Sequence, residues 1–237
     1  MLAARTFVIV PAAGGGSRFG GARPKQYADL AGVPLLARTL DRLAAVCAEA
    51  TLVALAPDDA DYARVVGTRL GVEAAACGGA TRAATVRNAL AHLASRAGRD
   101  DWVLVHDAAR PCVSREALLR LMRDLEGDAV GGLLAVPVSD TLKRADGADA
   151  GARVLRTEER ASLWLAQTPQ MFRHHVLAAA LSRDDAMAWT DEAQAVEALS
   201  TTGACAMPRL VRGDPANLKV TYAADLALAA AIVAAQG

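Results

Sequence analysis

The 237-residue sequence has few aromatic side chains, no excess charge of either sign and no long apolar run. Aromatic residues make up 4% of the chain, which leaves little material for the base-stacking surfaces that bind single-stranded nucleic acid. Lysine plus arginine and aspartate plus glutamate both number 26, so no net field attracts a polyanion and nucleic acid is not an expected partner. Any anion site must therefore be local.

Cysteines are also few, and none lies in a C-x-x-C pair. Their scatter excludes a small disulfide scaffold and predicts reduced thiols in a cytoplasmic protein, at Cys47, Cys77, Cys112 and Cys205. The apolar run near the N-terminus is too short for a signal peptide. The apolar C-terminal segment from Asp225 is shorter than the roughly 20 residues of a spanning helix. We therefore expect a soluble protein without a membrane partner.

Short apolar runs alternate with segments of helical period along the first part of the chain. The apolar runs, which predict strands, are Thr6 to Val10, Thr51 to Ala56, Val72 to Cys77, Trp102 to His106 and Val130 to Val138. The segments that predict helices are Pro34 to Cys47, Asp58 to Leu70, Thr81 to Ser95 and Ser114 to Leu125. This alternation predicts one α/β domain over residues 1–237, with a mostly parallel sheet that helices cover on both faces.

The alternation breaks after Pro137. Residues 139–172 are charged and contain the turn signal "ADGADAG" between alternating stretches, which predicts a β-hairpin that projects from the domain. Such a hairpin buries little against its own domain. It is either a solvated surface excursion or an arm that packs on a second subunit, and we favour an arm over residues 139–160.

A glycine-rich segment, "PAAGGGSRFGGARPKQY", follows the first predicted strand. It does not fit the dinucleotide fingerprint G-x-G-x-x-G, because Phe19 stands at the third glycine, and it lacks the Lys and Ser/Thr that end a P-loop. Its glycines let backbone N–H groups approach an anion, and Arg18, Arg23 and Lys25 supply fixed cations. The segment therefore predicts a phosphate-binding loop at the carboxyl end of a strand.

A second polar group follows the strand "WVLVH". Asp107 and Arg110 emerge at the same edge of the sheet as the glycine-rich segment. Aspartate is a hard oxygen ligand that suits Mg²⁺ bound together with phosphate oxygens. Cations, a metal ion and a phosphate chain together indicate phosphoryl or nucleotidyl transfer without a protein nucleophile. We expect His106 to be structural.

Six motifs occur in one order along the chain: "PAAGGGSRFGGARPKQY", "VHDAARP", "PVSDTLKR", "QTPQMF", "TDEA" and "NLKVT". In this the chain resembles the 2-C-methyl-D-erythritol 4-phosphate cytidylyltransferases of the non-mevalonate isoprenoid pathway. The resemblance implies a Rossmann-like nucleotidyltransferase fold with a projecting arm and a homodimer. It further implies that CTP and 2-C-methyl-D-erythritol 4-phosphate are joined with release of pyrophosphate, using Mg²⁺.

The resemblance also implies roles for single residues. Arg18 and Lys25 match the catalytic pair that stabilises the pentacoordinate α-phosphate, and Asp107 matches the metal ligand. The positions that match nucleotide-binding residues are Pro11, Ala12, Ala13, Gly14, Gly15, Gly16, Gly79, Arg82, Thr85, Ala108 and Lys219. The positions that match substrate-side residues are Arg110, Thr141, Arg160, Thr168 and Thr190, with Arg160 expected to reach the second substrate's phosphate across the dimer.

The sequence departs from the family pattern beside the expected cytosine site. Ala80 stands where relatives often have an acidic residue, and Thr85 where they often have serine, so base selection here is expected to use main-chain groups. Two alternatives stay open: a cytidylyltransferase for a pentitol phosphate such as ribitol 5-phosphate, and a non-catalytic nucleotide-binding module. The joint presence of Arg18, Lys25 and Asp107 argues against the second. Arg23 has no assigned role.

Overall fold

The structure is a computed structural model that describes residues 4–16, 19–20, 23–149, 151–183 and 189–236. Its strands are β1 (Thr6–Ala12), β2 (Asp29–Leu30), β3 (Val33–Pro34), β4 (Ala50–Leu55), β5 (Val72–Ala75), β6 (Trp102–Val105), β7 (Gly131–Pro137), β8 (Leu142–Ala145), β9 (Val154–Glu158), β10 (Trp164–Arg173) and β11 (Arg209–Arg212). Its helices are α1 (Leu35–Leu43), α2 (Tyr62–Val65), α3 (Arg82–Leu93), α4 (Arg115–Leu125), α5 (His174–Leu181), α6 (Glu192–Ser200) and α7 (Asp225–Ala235). Arg18 lies outside the described residues.

Seven strands form the central sheet in the order β11-β7-β10-β6-β1-β4-β5. Strand β10 runs antiparallel to its neighbours β6 and β7, and the other neighbouring pairs are parallel. The predicted mostly parallel sheet is therefore confirmed. Because the parallel strands end at one edge, the loops after β1, β4 and β6 emerge side by side.

Apolar cores lie on both faces of the sheet, and successive residues of β1 supply them alternately. Phe7 and Ile9 pack with the core that includes α3, α5 and α6, whereas Val8 and Val10 pack with the core that includes α1 and α4. These four side chains are fully buried. A strand with helices on both sides needs such an uninterrupted apolar run, which explains why β1 lacks the alternation of a half-exposed strand.

Side-chain caps fix where three helices begin. Thr81 before α3 accepts a hydrogen bond from Ala84 N, and Asp191 before α6 accepts one from Gln194 N. Ser114 caps α4 in the same way, through Ala117 N. These caps satisfy backbone donors that have no partner inside the helix. They set the first turns of α3 and α6 beside the carboxyl edge of the sheet.

Two predicted elements differ from the structure. The helix expected over Asp58 to Leu70 is only the single turn α2, because Gly67 follows it with a φ of +71° and turns the chain away. The charged stretch 139–172 is only partly a projection: β8 and β9 pair as a separate two-stranded sheet, but β10 runs through the middle of the central sheet. No helix in the described part of the chain is long and apolar enough to cross a membrane.

Candidate active site

A cleft of about 330 Å³ opens at the carboxyl edge of the sheet. The loops after β1, β5 and β6 and the first turn of α3 form most of its wall. Backbone and small side chains predominate in the lining, which comprises Pro11, Ala12, Ala13, Gly14, Gly15, Lys25, Gln26, Gly79, Ala80, Thr81, Arg82, Thr85, Asp107, Ala108, Ala109 and Lys219. The predicted nucleotide-binding residues thus line this cleft, apart from Gly16, which lies directly beneath Lys25.

Lys25 starts a short 3-10 turn that is tied down on several sides. Gln26 Nε2 donates to Ala12 O at 2.8 Å, and the Tyr27 hydroxyl donates to Asp59 Oδ2 at 2.7 Å. Lys25 Nζ itself donates to Val220 O at 2.9 Å. Because neighbours on either side hold this turn, the ammonium group enters the cleft from a fixed direction.

Gly16 has to be glycine for two reasons. Its φ is +67°, a conformation that strains other residues, and a Cβ there would lie 2.9 Å from Lys25 Cγ. Around Gly14 and Gly15, by contrast, no atom of the described residues lies within 4 Å of an added Cβ. The glycine-rich segment therefore combines one glycine that makes room for the lysine stem with two that leave backbone N–H groups accessible from the cleft.

The opposite wall depends on Gly79 and Thr85. A Cβ on Gly79 would lie only 2.6 Å from Ala84 Cβ. The loop backbone at Gly79 therefore packs directly against α3. Gly79 N donates to the Thr85 hydroxyl at 3.0 Å, and that hydroxyl donates to Thr81 O at 3.0 Å. Thr85 is buried, and its hydroxyl holds the loop backbone in place at Gly79. The backbone beside Ala80 faces the cleft.

Three cations surround the carboxylate of Asp107. Its Oδ1 accepts from Arg82 Nε at 3.1 Å, its Oδ2 lies 2.8 Å from Lys219 Nζ, and Arg110 Nε lies 3.6 Å from Oδ2. Burial by itself raises the pKa of Asp107, but the charges of Arg82 and Lys219 outweigh it and hold that pKa well below its usual range. The carboxylate is therefore ionised at neutral pH.

A second cleft, of about 170 Å³, adjoins the first and shares Arg82, Asp107 and Lys219 with it. Its other polar lining residues come from the loop after β6, from β10 and from the start of α6: Arg110, Gln167, Thr168, Gln170, Thr190 and Asp191. Three of the five predicted substrate-side residues therefore meet here. Thr141 and Arg160 lie in the β8–β9 region, and neither lines either cleft.

A buried chain of hydrogen bonds joins the strands under this second cleft. The Thr168 hydroxyl accepts from Asp107 N at 3.0 Å and lies 3.1 Å from His106 Nδ1, while His106 Nε2 lies 3.0 Å from Arg110 O. Because a carbonyl oxygen only accepts, Nε2 carries the proton and Nδ1 accepts from Thr168. Burial lowers the pKa of His106 to about 4, so the ring is neutral and orients its neighbours.

Comparison with known proteins identifies the group to which this arrangement belongs. Residues 6–235 match the family model of 2-C-methyl-D-erythritol 4-phosphate cytidylyltransferase. The chain belongs to this family. Membership confirms the nucleotidyltransferase predicted from the sequence motifs.

Curated relatives and solved structures agree with the assignment to the 2-C-methyl-D-erythritol 4-phosphate cytidylyltransferase family. Proteins of that name from Dechloromonas aromatica (strain RCB) and Laribacter hongkongensis (strain HLHK9) are 54% and 55% identical to this chain, over 98% and 97% of its length and 99% and 96% of theirs. A crystal structure of 4-diphosphocytidyl-2C-methyl-D-erythritol synthase matches with a TM-score of 0.83 at 38% identity, covering 98% of this chain and 100% of that one. The Francisella tularensis cytidylyltransferase structure matches with a TM-score of 0.77 at 32% identity, covering 97% and 100%.

Several residues of this cytidylyltransferase site have no counterpart among the residues predicted from the sequence. Gln26 anchors the lysine turn, Asn217 Nδ2 donates to Thr168 O at 2.8 Å, and Glu192 pairs with Arg82. Gln26 lies in "PKQY", the end of the glycine-rich motif, and Glu192 lies in "TDEA". Membership of these motifs is the sequence signal that points to both residues. Asn217 lies in "NLKVT", where only the lysine was assigned a role.

The residues present fit a divalent cation that arrives with a nucleotide. In the described part of the chain, no three histidine, cysteine or acidic side chains gather as a metal site. Asp107 is a single ionised carboxylate in the cleft, and Mg²⁺ is commonly held by one or two carboxylates together with substrate phosphate oxygens. The three cations around Asp107 disfavour binding of a free ion, so phosphate oxygens are needed to complete the ligand set.

Proposed function

We propose that this chain transfers the cytidylyl group of CTP to 2-C-methyl-D-erythritol 4-phosphate and releases pyrophosphate. The observation that carries the proposal is a pair of adjoining clefts that share Arg82, Asp107 and Lys219. The larger cleft, with its glycine-rich wall, suits a nucleoside triphosphate, and the smaller one suits a second anion. Two phosphorylated substrates can thus meet over one set of charges.

The chemistry is a direct displacement at phosphorus. A phosphate oxygen of the methylerythritol phosphate forms a bond to the α-phosphorus of CTP. The bond from that phosphorus to the oxygen bridging to the β-phosphate breaks, and its electron pair leaves with pyrophosphate. No general base is required, because a phosphate monoester is already largely ionised near neutral pH.

The protein's part is to hold the phosphates and to neutralise charge. Among the described residues around the two clefts, the four cations Lys25, Arg82, Arg110 and Lys219 outnumber the three carboxylates Asp107, Asp191 and Glu192. In the proposal, Lys25 together with Arg18 stabilises the charge that develops on the α-phosphate. The backbone of residues 11–16 holds the triphosphate, and the backbone around residues 79 and 80 faces the base.

Mg²⁺ belongs to the same proposal, with Asp107 as its protein ligand. When bound, the ion neutralises charge on the triphosphate and polarises its oxygens. Asp107 is kept ionised by Arg82 and Lys219 and is therefore ready to coordinate without first losing a proton.

The arm completes the substrate side in a homodimer. Thr141 and Arg160 lie outside both clefts, and Val154 and Leu155 on the same hairpin are 61% and 62% exposed. We propose that the hairpin packs on a second copy of the chain and delivers Arg160 to the phosphate of the methylerythritol phosphate, which a guanidinium binds bidentately. The cytoplasmic location stays a prediction from cysteine usage.

A panel of acceptors tests this function. Purified enzyme with CTP and Mg²⁺ is given 2-C-methyl-D-erythritol 4-phosphate, ribitol 5-phosphate or no acceptor, and pyrophosphate release is followed. We expect release with the methylerythritol phosphate and none without an acceptor. Faster release with ribitol 5-phosphate would favour the pentitol alternative, and CTP binding without release from either acceptor would favour the non-catalytic module.

A further inference from the structure

Glu192 is a fully buried carboxylate at the back of the site. It is the first residue of α6, its side chain is 1% exposed, and Oε1 lies 2.5 Å from Arg82 Nη1. Its other oxygen, Oε2, has no hydrogen-bond partner among the residues that the structure describes. A buried ionised group is costly unless a charge compensates for it. The position of Glu192 therefore calls for an explanation through Arg82.

The first turn of α6 is clamped so that Glu192 cannot turn outward. Gln170 on β10 accepts from Ala193 N at 2.7 Å and donates to Asp191 Oδ2 at 3.0 Å. Asp191 in turn caps the helix through Gln194 N at 2.9 Å. The carboxylate of Glu192 is thus presented to Arg82 from a rigid element.

Arg82 donates hydrogen bonds to two carboxylates at the boundary of the two clefts. Its Nε donates to Asp107 Oδ1 at 3.1 Å and its Nη1 donates to Glu192 Oε1 at 2.5 Å, so the planar guanidinium has a fixed orientation. Arg82 is one of the residues that line both clefts. Its orientation consequently affects both substrates at once.

We propose that Glu192 is a positioning residue, which holds the guanidinium of Arg82 between the two clefts so that both substrates meet in the reacting orientation. This inference rests on the proposed function. Without the Glu192 charge, Asp107 is the remaining carboxylate against Arg82, and the guanidinium rotates towards it. The clefts also become more positive by one charge. Anion binding is then kept or strengthened, while the orientation needed for transfer is lost.

Glu192→Gln is the decisive variant because it keeps the size of the side chain and removes its charge. Its carbonyl oxygen can still accept from Arg82, with the amide nitrogen at the unpaired Oε2 position. Glu197→Gln is the matched control, because Glu197 lies on the same helix and is exposed. We measure kcat and both KM values by pyrophosphate release, CTP affinity by calorimetry, and thermal unfolding.

We expect Glu192→Gln to lower kcat roughly 10-fold to 100-fold, as is typical for residues that orient a functional group. The Kd for CTP should stay unchanged or fall, and Glu197→Gln should match the parent enzyme. An unchanged kcat would overturn the proposal, as would a loss of kcat that merely follows weaker CTP binding or a lower unfolding temperature.

A double-mutant cycle tests whether Glu192 acts through Arg82, and Glu192→Asp keeps the proposal testable if Glu192→Gln folds poorly. Arg82→Gln alone and together with Glu192→Gln should lose kcat equally, because Glu192 acts through Arg82. Glu192→Asp keeps the charge but shortens the side chain by one methylene, which moves the carboxylate away from Arg82. This variant should also lower kcat without weakening CTP binding. Additive losses in the cycle would overturn the proposal.

The two proposals fail separately. A parent enzyme that uses ribitol 5-phosphate rather than the methylerythritol phosphate refutes the proposed function, and the ratio of variant to parent kcat is then read with that acceptor. A parent that is active on the methylerythritol phosphate together with a ratio near one refutes the role of Glu192 alone.

Discussion

Side chains at the carboxyl edge of the sheet and side chains on the β8–β9 hairpin are held in different ways. At the sheet edge, Lys25, Arg82 and Arg110 each bond to a distant part of the same chain: Val220 O, two carboxylates and Asn217 O. On the hairpin, ion pairs such as that between Arg156 and Glu158 join neighbours within the arm and lie at its surface.

The difference indicates how each region gains its functional geometry. Groups at the sheet edge are preorganised by one folded chain, so they bind and stabilise charge without further rearrangement. The arm has little of its own core to pack against and exposes apolar residues, which is why we propose that its functional geometry depends on a second copy of the chain. Changes at the sheet edge should therefore affect the chemical step, and changes in the arm should affect substrate binding and assembly.

The largest effect is expected from Lys25→Ala, which removes a fixed cation from the sheet edge. Loss of such a group should lower kcat on the order of 100-fold to 1,000-fold, by analogy with the loss of an oxyanion donor. Arg87→Ala is the control, since it removes a charge from an exposed position on α3 that lines neither cleft. Pyrophosphate release at saturating substrates gives kcat. Near-normal turnover by a folded Lys25→Ala enzyme would contradict the role of this lysine.

A smaller and more selective effect is expected from Arg160→Ala on the arm. A lost charge-assisted hydrogen bond to a phosphate is worth about 1.5–3 kcal/mol, so the KM for methylerythritol phosphate should rise roughly 10-fold to 100-fold. The Kd for CTP should not change, because Arg160 does not line the larger cleft. Arg153→Ala, an exposed position on the same arm, serves as the control.

Mixing Lys25→Ala with Arg160→Ala, at a methylerythritol phosphate concentration well below the KM of Arg160→Ala where both variants alone turn over slowly, tests whether the arm acts on the partner subunit. In a mixed dimer, the subunit with intact Lys25 receives Arg160 from the Lys25→Ala subunit, so activity should reappear. Sedimentation should give the mass of a dimer for both variants. No recovery in mixtures that do exchange subunits would mean that Arg160 serves its own chain.

Much of the fold followed from the period of apolar residues, because strands buried on both faces need continuous apolar runs. The apolar period did not predict strand β10, because Gln167, Thr168 and Gln170 interrupt its apolar pattern. These polar side chains bond to buried partners and line the second cleft. The apolar pattern therefore fails to predict a strand whose side chains also line the candidate site. The short α2 was overestimated because Gly67 ends it early.

The site was predictable wherever a role depends on a residue's own type and its place after a strand. Lys25 and Asp107 follow from this reasoning, and Lys219 follows only from the family resemblance; all three line the same cleft. The pairing of Glu192 with Arg82 was not predictable, since it joins positions 110 residues apart through side chains on two different helices. The reach of Arg160 across a dimer, which the family resemblance implies, stays a prediction, because Arg160 lines neither cleft of the single chain.

The smallest expected effect concerns stability, and it contrasts the body of the sheet with the arm once more. Asp101 is buried before β6 and accepts hydrogen bonds from Arg5 N at 2.9 Å, Arg5 Nη2 at 2.8 Å and Gly98 N at 2.8 Å. Burial raises the pKa of Asp101, but these hydrogen bonds outweigh it and leave the pKa below its usual range. Glu158 on the arm also has a lowered pKa, from its hydrogen bonds to Arg144 and Arg156, but it lies at the surface on a two-stranded sheet, where its side chain is 25% exposed.

A carboxylate with a lowered pKa in the folded state stabilises the fold above its unfolded pKa, and this contribution is lost as the pH falls through the folded pKa. Asp101→Asn should therefore lower the free energy of unfolding by about 1–3 kcal/mol at neutral pH, and the deficit should shrink in acid. Glu158→Gln should cause no measurable loss, because solvent screens its pairs. Denaturant unfolding at several pH values measures both. Equal losses would mean that the arm is integrated into the fold as firmly as the sheet, which would contradict the contrast between the two regions.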